Sequence, residues 1–264
     1  MKIKSFLTSA LLGLAALGIF ATKANAQISA VSNDLILDFR ATAGDGSSTN
    51  IGYSLGPITT FITDASSFSL NLAPDLSTIF NGGGTWNANT SVLWSVLGTS
   101  NGSSGYLGNS SSSRTLYYTV TAGGQSTPPA GVSAQTTVSG NINQLYADIN
   151  NDMSNTTAAG GLSYPNSPGN TYSVEAPNIG SYFTSGFESA LPTGSSPVTM
   201  ELYDNTQTGS SPSTPTEFDL GTFSLSSAGV LTFTAVPEPS TYALLGFGAV
   251  VLLFTLRRHR TVQA

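Results

Sequence analysis

The residues of this chain that could do chemistry are few, and most lack the partner that their chemistry requires. Gly98-Thr99-Ser100-Asn101-Gly102 fits G-x-S-x-G directly after an apolar run, where a nucleophile elbow would place its serine. Such a serine needs a helix after it and a base to take its proton. A Ser/Gly/Asn-rich stretch follows instead, and the only histidine is His259, near the C-terminus. All three lysines, Lys2, Lys4 and Lys23, lie at the N-terminus, and there is no cysteine. Residues 27–236 therefore offer no imidazole, amine or thiol for triad, dyad, Schiff-base or thiolate-metal chemistry. Asp148-Ile149-Asn150-Asn151-Asp152 opens like a calcium loop, but Met153 stands where the loop needs glycine and Ala159 where it needs glutamate. This excludes an EF-hand and leaves at most loosely held calcium at acidic loops such as Asp45 or Asp204.

Two carboxylates suffice for glycoside hydrolysis, and the nearest pairs are Glu217 with Asp219 and Asp34 with Asp38. Each pair falls at a strand end or on a polar face, where a solvated carboxylate is the ordinary outcome. Trp86, Trp94, Tyr117, Tyr118, Tyr182 and Phe183 would stack on sugar rings if exposed. Trp94, inside an apolar strand, belongs to a core, whereas Trp86 beside a glycine run is the better candidate for exposure. No set of residues amounts to a catalytic, metal or cofactor site, and the chain reads as non-enzymatic.

The elements that would position these residues are mostly strands. Asp34–Arg40 and 51–55 are separated by a Gly/Ser turn, 67–72 alternates polar and apolar residues, and 92–97 and 114–121 are dense apolar runs. Val198–Tyr203 lies before a closing hairpin, 218–225 and 230–234, which turns at Ser226-Ser227-Ala228-Gly229. A short helix is expected over 75–80, with Asp75 or its predecessors as cap. Val138, Ile142, Leu145 and Ile149 recur at helical spacing, so a helix over 134–153 should cover one sheet face, and 156–171 reads as loop. The expected architecture is a mainly β, antiparallel, sandwich-like domain with one docked amphipathic helix.

Composition bounds what such a domain meets. Residues 27–236 carry thirteen acidic and two basic side chains, Arg40 and Arg114, a net charge of about −11. That surface repels nucleic-acid phosphate and anionic membrane, and it excludes nucleic acid as a partner. Solubility then rests on Ser, Thr, Asn and Gly, a composition suited to an exported protein.

Both ends read as addresses. Lys2 and Lys4, the apolar run 6–20 and Ala24-Asn25-Ala26 before Gln27 form a secretory signal peptide over 1–26, with signal peptidase and the secretion machinery as partners. The domain then occupies 27–235, and 236–260 is a second processing segment. In it Pro237-Glu238-Pro239 precedes an apolar helix, 241–256, and a basic tail, 257–260, with Arg257, Arg258 and Arg260. The fifteen residues from Tyr242 to Leu256 reach about 22 Å as a helix, short of the roughly 30 Å bilayer core, so Thr241 and the arginine stems must extend the span. The arginines place the tail in the cytoplasm and residues before Thr241 outside it. Pro237 and Pro239 keep the tripeptide extended and open to a protease.

These residues resemble a PEP-CTERM sorting signal, the tail recognised by exosortase in exopolysaccharide-making Gram-negative bacteria. The order Asn33–Arg40, Gly46–Asn50, Leu55-Gly56 and Trp94 in its Val-Leu-Trp-Ser-Val strand resembles an ectodomain recurrent among PEP-CTERM proteins of Verrucomicrobia-like bacteria, a family that carries no activity over. The resemblance implies cleavage near the tripeptide by a membrane-embedded, transpeptidase-like exosortase. The product would be a protein at the cell surface or outside the cell, associated with exopolysaccharide and biofilm. The alternatives are a permanently membrane-anchored surface protein and a secreted carbohydrate-active enzyme.

Overall fold

The computed structural model describes residues 30–63, 68–81, 85–101, 114–121, 132–151, 157–165, 171–183, 186–207 and 216–236. Ten strands lie among them: β1 (Asp34–Ala41), β2 (Thr49–Pro57), β3 (Phe68–Asn71), β4 (Val92–Asn101), β5 (Arg114–Thr121), β6 (Leu162–Pro165), β7 (Ser189–Ala190), β8 (Val198–Gln207), β9 (Thr216–Leu225) and β10 (Val230–Ala235). The helices are α1 (Ile58–Thr63), α2 (Ala73–Ile79), α3 (Val132–Asn151) and α4 (Tyr172–Gly180), with a 3-10 turn at Trp86–Ala88. All ten strands join one sheet in the order β3-β10-β9-β8-β5-β4-β1-β2-β6, with β7 added to β4. Every pairing is antiparallel.

The expected sandwich is therefore corrected. Instead of two facing sheets there is one, curled into a half-barrel. The physical reason lies in the pairings between distant segments, which join every strand edge to edge and turn one face of each to a common side. Leu35, Leu37 and Phe39 of β1, Trp94 and Val96 of β4, Met200 and Leu202 of β8, Phe223 and Leu225 of β9 and Leu231 and Phe233 of β10 all point to one side. There they form a single buried cluster with Phe61 of α1 and with Leu76 of α2 and Phe80 just after it. Phe61, Phe223 and Phe233 pack ring to ring, with centroids 4.7–5.7 Å apart. Aromatic pairs at such spacings attract beyond their area burial.

The opposite face is covered only in part. Val138, Ile142, Leu145 and Ile149 of α3 are buried against Ile36, Leu97, Leu116, Tyr118 and Val120, so the helical stripe does what its spacing requires. A second helix, α4, joins it with Tyr172, Ala176 and Ile179. Two helices are thus docked on this face where the sequence showed one, because Pro177 inside α4 interrupts its apolar pattern. β6 lies within the stretch read as loop. Its four residues pair with Thr49–Gly52, and the alternation is too short to stand out. Trp86 is buried, at 7 % exposure, in the inner cluster, which overturns its expected exposure.

Asp75 does not cap α2. The N-cap is Leu72, which makes no side-chain bond, while Asn71 Oδ1 accepts the Ala73 N–H. Asp75 is buried within the first turn and accepts the Tyr53 hydroxyl at 2.6 Å, the Ala159 N–H at 3.1 Å and the Thr157 hydroxyl. The carboxylate thus ties α2 to β2 and to the chain entering β6. Gly161, beside it, lies against the Tyr53 ring, where a Cβ would collide.

Candidate functional site

The residues with catalytic chemistry are closed from solvent rather than gathered at a groove. Ser100 lies within β4 and is buried at 1 % exposure, so no elbow presents its hydroxyl. Asp34 and Asp38, both on β1, are also buried, against the expectation of solvated carboxylates. The helices docked on this face of β1 exclude water. Asp34 Oδ2 accepts the Val31 N–H at 3.0 Å and the Ser54 hydroxyl at 3.2 Å. Asp204 is fully buried in β8 and accepts the Phe218 N–H at 3.0 Å, so it is not the acidic loop residue expected to meet calcium. Asp45 is exposed in the turn after β1. Among the described residues no three His, Asp or Glu side chains converge on a metal position.

A partly buried polar cluster around Arg40 is structural in its geometry. Arg40 on β1 donates from Nε and Nη2 to the two oxygens of Glu188, at 2.8 and 2.6 Å. The guanidinium lies 6.0 Å from the Tyr172 ring, and the Tyr172 hydroxyl meets Ser95 Oγ at 2.6 Å. Burial pushes the Tyr172 phenol well up, and the Glu188 charge pushes it further. Burial pulls the Arg40 guanidinium down, but its hydrogen bonds to Glu188 and that carboxylate's charge more than offset this.

Burial raises the carboxyls of Asp34 and Glu175 above their usual range, against the lowering effect of their hydrogen bonds. The folded chain therefore holds protons on these groups that the unfolded chain has lost. Their stabilising contribution is complete below the ordinary carboxylate pKa of about 4 and disappears as pH rises through the raised values. The melting temperature should accordingly fall as pH rises from about 4 through those raised values, and Asp34→Asn should flatten that slope. Equal or falling stability on acidification would contradict the assignment.

The last strand leads out of the domain. β10 pairs with β9 from Leu231↔Leu225 to Ala235↔Gly221, and the Val236 N–H donates to the Leu220 carbonyl at 3.1 Å. Gly221 makes this close pairing possible. Its φ is 151°, and a Cβ there would strike the Thr234 carbonyl and the Phe233 ring. Gly221→Ala should cost about 1–3 kcal/mol, an overpacking penalty that chemical denaturation would read, and should loosen the end of β10 first in hydrogen exchange. Pro237 follows and has no N–H to donate, so the ladder ends at Val236. A family model described as the PEP-CTERM protein-sorting motif matches residues 235–259. The chain carries a PEP-CTERM sorting motif. No curated protein and no solved structure matches the chain.

The PEP-CTERM motif begins on Ala235, the final residue of β10, so domain and sorting segment share a boundary without a spacer. Such a motif marks exosortase-dependent sorting to the cell surface, with membrane transit on the way. The sorting residues Pro237, Glu238, Pro239, Arg257, Arg258 and Arg260, the apolar run 241–256 and the signal-peptide residues Ala24, Ala26 and Gln27 lie outside the described residues. Among the described residues no helix is long and apolar enough to cross a membrane.

The aromatic candidates divide by face. Trp94, Tyr117 and Tyr118 are buried, while Tyr182 and Phe183 are half-buried and pack against the α3–α4 cluster. Tyr203, which sequence reasoning did not single out, is half-buried on the outer face of β8. It stacks on Tyr118 with centroids 6.4 Å apart and donates its hydroxyl to Glu201 at 3.0 Å. Asp219, directly across from Tyr203 on β9, is exposed, and its Oδ1 accepts the Gly221 N–H at 3.0 Å. The signal for this group is strand alternation, since Glu201 and Tyr203 alternate with the buried Met200 and Leu202.

Proposed function

We propose that this is an exported, non-catalytic surface or matrix protein, cut by exosortase near Pro239, whose domain associates with extracellular polysaccharide. The observation that carries the reading is the PEP-CTERM motif joined to the last strand of a folded domain. The lack of histidine, lysine and cysteine in 27–236 supports a non-catalytic role. The outer face of β8, β9 and β10 supports the sugar ligand. There Glu201, Tyr203, Asp219, Thr222, Ser224 and Thr232 offer a ring edge, carboxylates and hydroxyls to a polyhydroxylated chain. These groups exchange hydrogen bonds with sugar hydroxyls without needing opposite charge.

Mass spectrometry of the extracellular fraction tests the processing. The product should begin near Gln27 and lack everything after the Pro-Glu-Pro region. A surface form retaining the basic tail would instead establish the permanently anchored alternative. A glycan array probed with that extracellular form tests the ligand, and silence across neutral and acidic polysaccharides would remove the sugar-binding role.

A further inference from the structure

The direction of β10 fixes which end of the domain faces the membrane before cleavage. β10 runs toward the end of the sheet where β8 finishes, β9 and β5 start, β4 finishes and β1 begins. Residues 31–33 are fastened at this same end. The Asn33 N–H donates to the Thr99 carbonyl, and the Asn33 carbonyl accepts the Ile58 N–H at 2.8 Å. Four large apolar side chains are exposed among the described residues, and three of them, Val31 at 59 %, Phe218 at 48 % and Val236 at 47 %, belong to this end. The fourth, Val174, is on α4.

Chain length turns this placement into a distance. Val236 is opposite Leu220, so Phe218 lies two residue levels further along β9, about 7 Å at strand spacing, and the strand runs on to Thr216, about 13 Å beyond Val236. Only Pro237 to Thr241 separate Val236 from the apolar run beginning at Tyr242, and the six Cα–Cα steps between them span at most about 20 Å. The start of β9 at Thr216 is thus held within about 7 Å of the start of that run, and Phe218 within about 13 Å, against a headgroup layer of roughly 5–8 Å on each side of the hydrocarbon core.

We infer that this end of the sheet rests on the lipid surface in the unprocessed chain, with Val31 and Phe218 as its apolar contact residues. The inference depends on the reading that residues 241–256 enter the bilayer. The partner is the headgroup–acyl boundary, where partly exposed apolar side chains are stabilised. A domain charge of about −11 opposes an anionic surface, so contact in an anionic bilayer should strengthen as salt screens the repulsion. The opposite end, with the turn after β1 and the β9–β10 hairpin, points away from the membrane.

The absence of cysteine allows single reporters. Full-length chains carrying Val31→Cys, Phe218→Cys, Ser48→Cys, Ala228→Cys or, within the apolar run, Gly246→Cys are labelled with a small fluorophore. They are then reconstituted in phosphatidylethanolamine–phosphatidylglycerol vesicles bearing lipid-attached quenchers. Headgroup quenching at 31 and 218 should be several-fold stronger than at 48 and 228, and should increase with salt, while acyl-chain quenching marks 246. If 246 is quenched but 31 and 218 match 48 and 228, the domain stands clear of the lipid and the inference is wrong, although the membrane reading survives. If 246 is not quenched, the apolar run is outside the bilayer and both fall together.

Discussion

Replacing Pro237, Glu238 and Pro239 together with alanine is expected to abolish the tail-free extracellular form and leave the protein in the membrane fraction with its basic tail attached. The two prolines hold the segment between a strand and an apolar run. Each fixes φ and lacks an N–H, so neither the β9–β10 ladder nor a helix can pass through. Alanine restores the donors and is the strongest helix former, so a helix started in the apolar run would be free to extend toward Val236 and leave no extended segment for a protease. Fractionation followed by mass spectrometry of both pools reads the result. Normal release of a shortened product from the variant would mean that cleavage does not depend on the tripeptide.

The second large effect is on stability. Glu188→Ala should destabilise the domain by about 3–5 kcal/mol, because it leaves the buried Arg40 guanidinium without its carboxylate. The side chains are 14 % and 10 % exposed, so water replaces little of what is lost. The double variant Arg40→Met/Glu188→Leu removes both charges and should recover most of the loss, since well-packed apolar pairs often match buried ion pairs. Urea midpoints of the three proteins test this. A single variant within a few tenths of a kcal/mol of the parent would show that the pair is solvated and contributes as little as an exposed one.

That ion pair also shows what the sequence could and could not convey. β1, β2, β4, β5, β8 and the β9–β10 hairpin were readable from alternation and turn residues, and α3 from a stripe of four apolar residues. The sorting segment was readable because its three features are contiguous. Arg40 and Glu188 are far apart in the chain, and nothing local to either names the other. The same holds for Asp75 with Thr157, and for the burial of Trp86, which depends on the curl of the sheet rather than on the glycines beside it. Curl and strand order are set by pairings between distant segments, so the single sheet could not be told from a sandwich by periodicity alone. α4 was hidden by Pro177, and Tyr203 by its place in a strand notable chiefly for its inward residues.

The sheet order has a consequence for timing. β3, near the start of the domain, has β10 as its strand partner, with Val230–Phe233 opposite Asn71–Phe68. In a chain delivered N-terminus first, β1, β2 and β4 can assemble early, while β3 must wait for nearly the whole domain to arrive. Closing so long a loop is entropically unfavourable and rewarded only at the end, as in other folds dominated by distant contacts. The sheet is completed when its last strand has crossed, just as the residues behind that strand reach the membrane. Completion of the fold and presentation of the cleavage segment are thus one event in the life of the chain, so a protein that stalls before the first would reach its protease with an open edge.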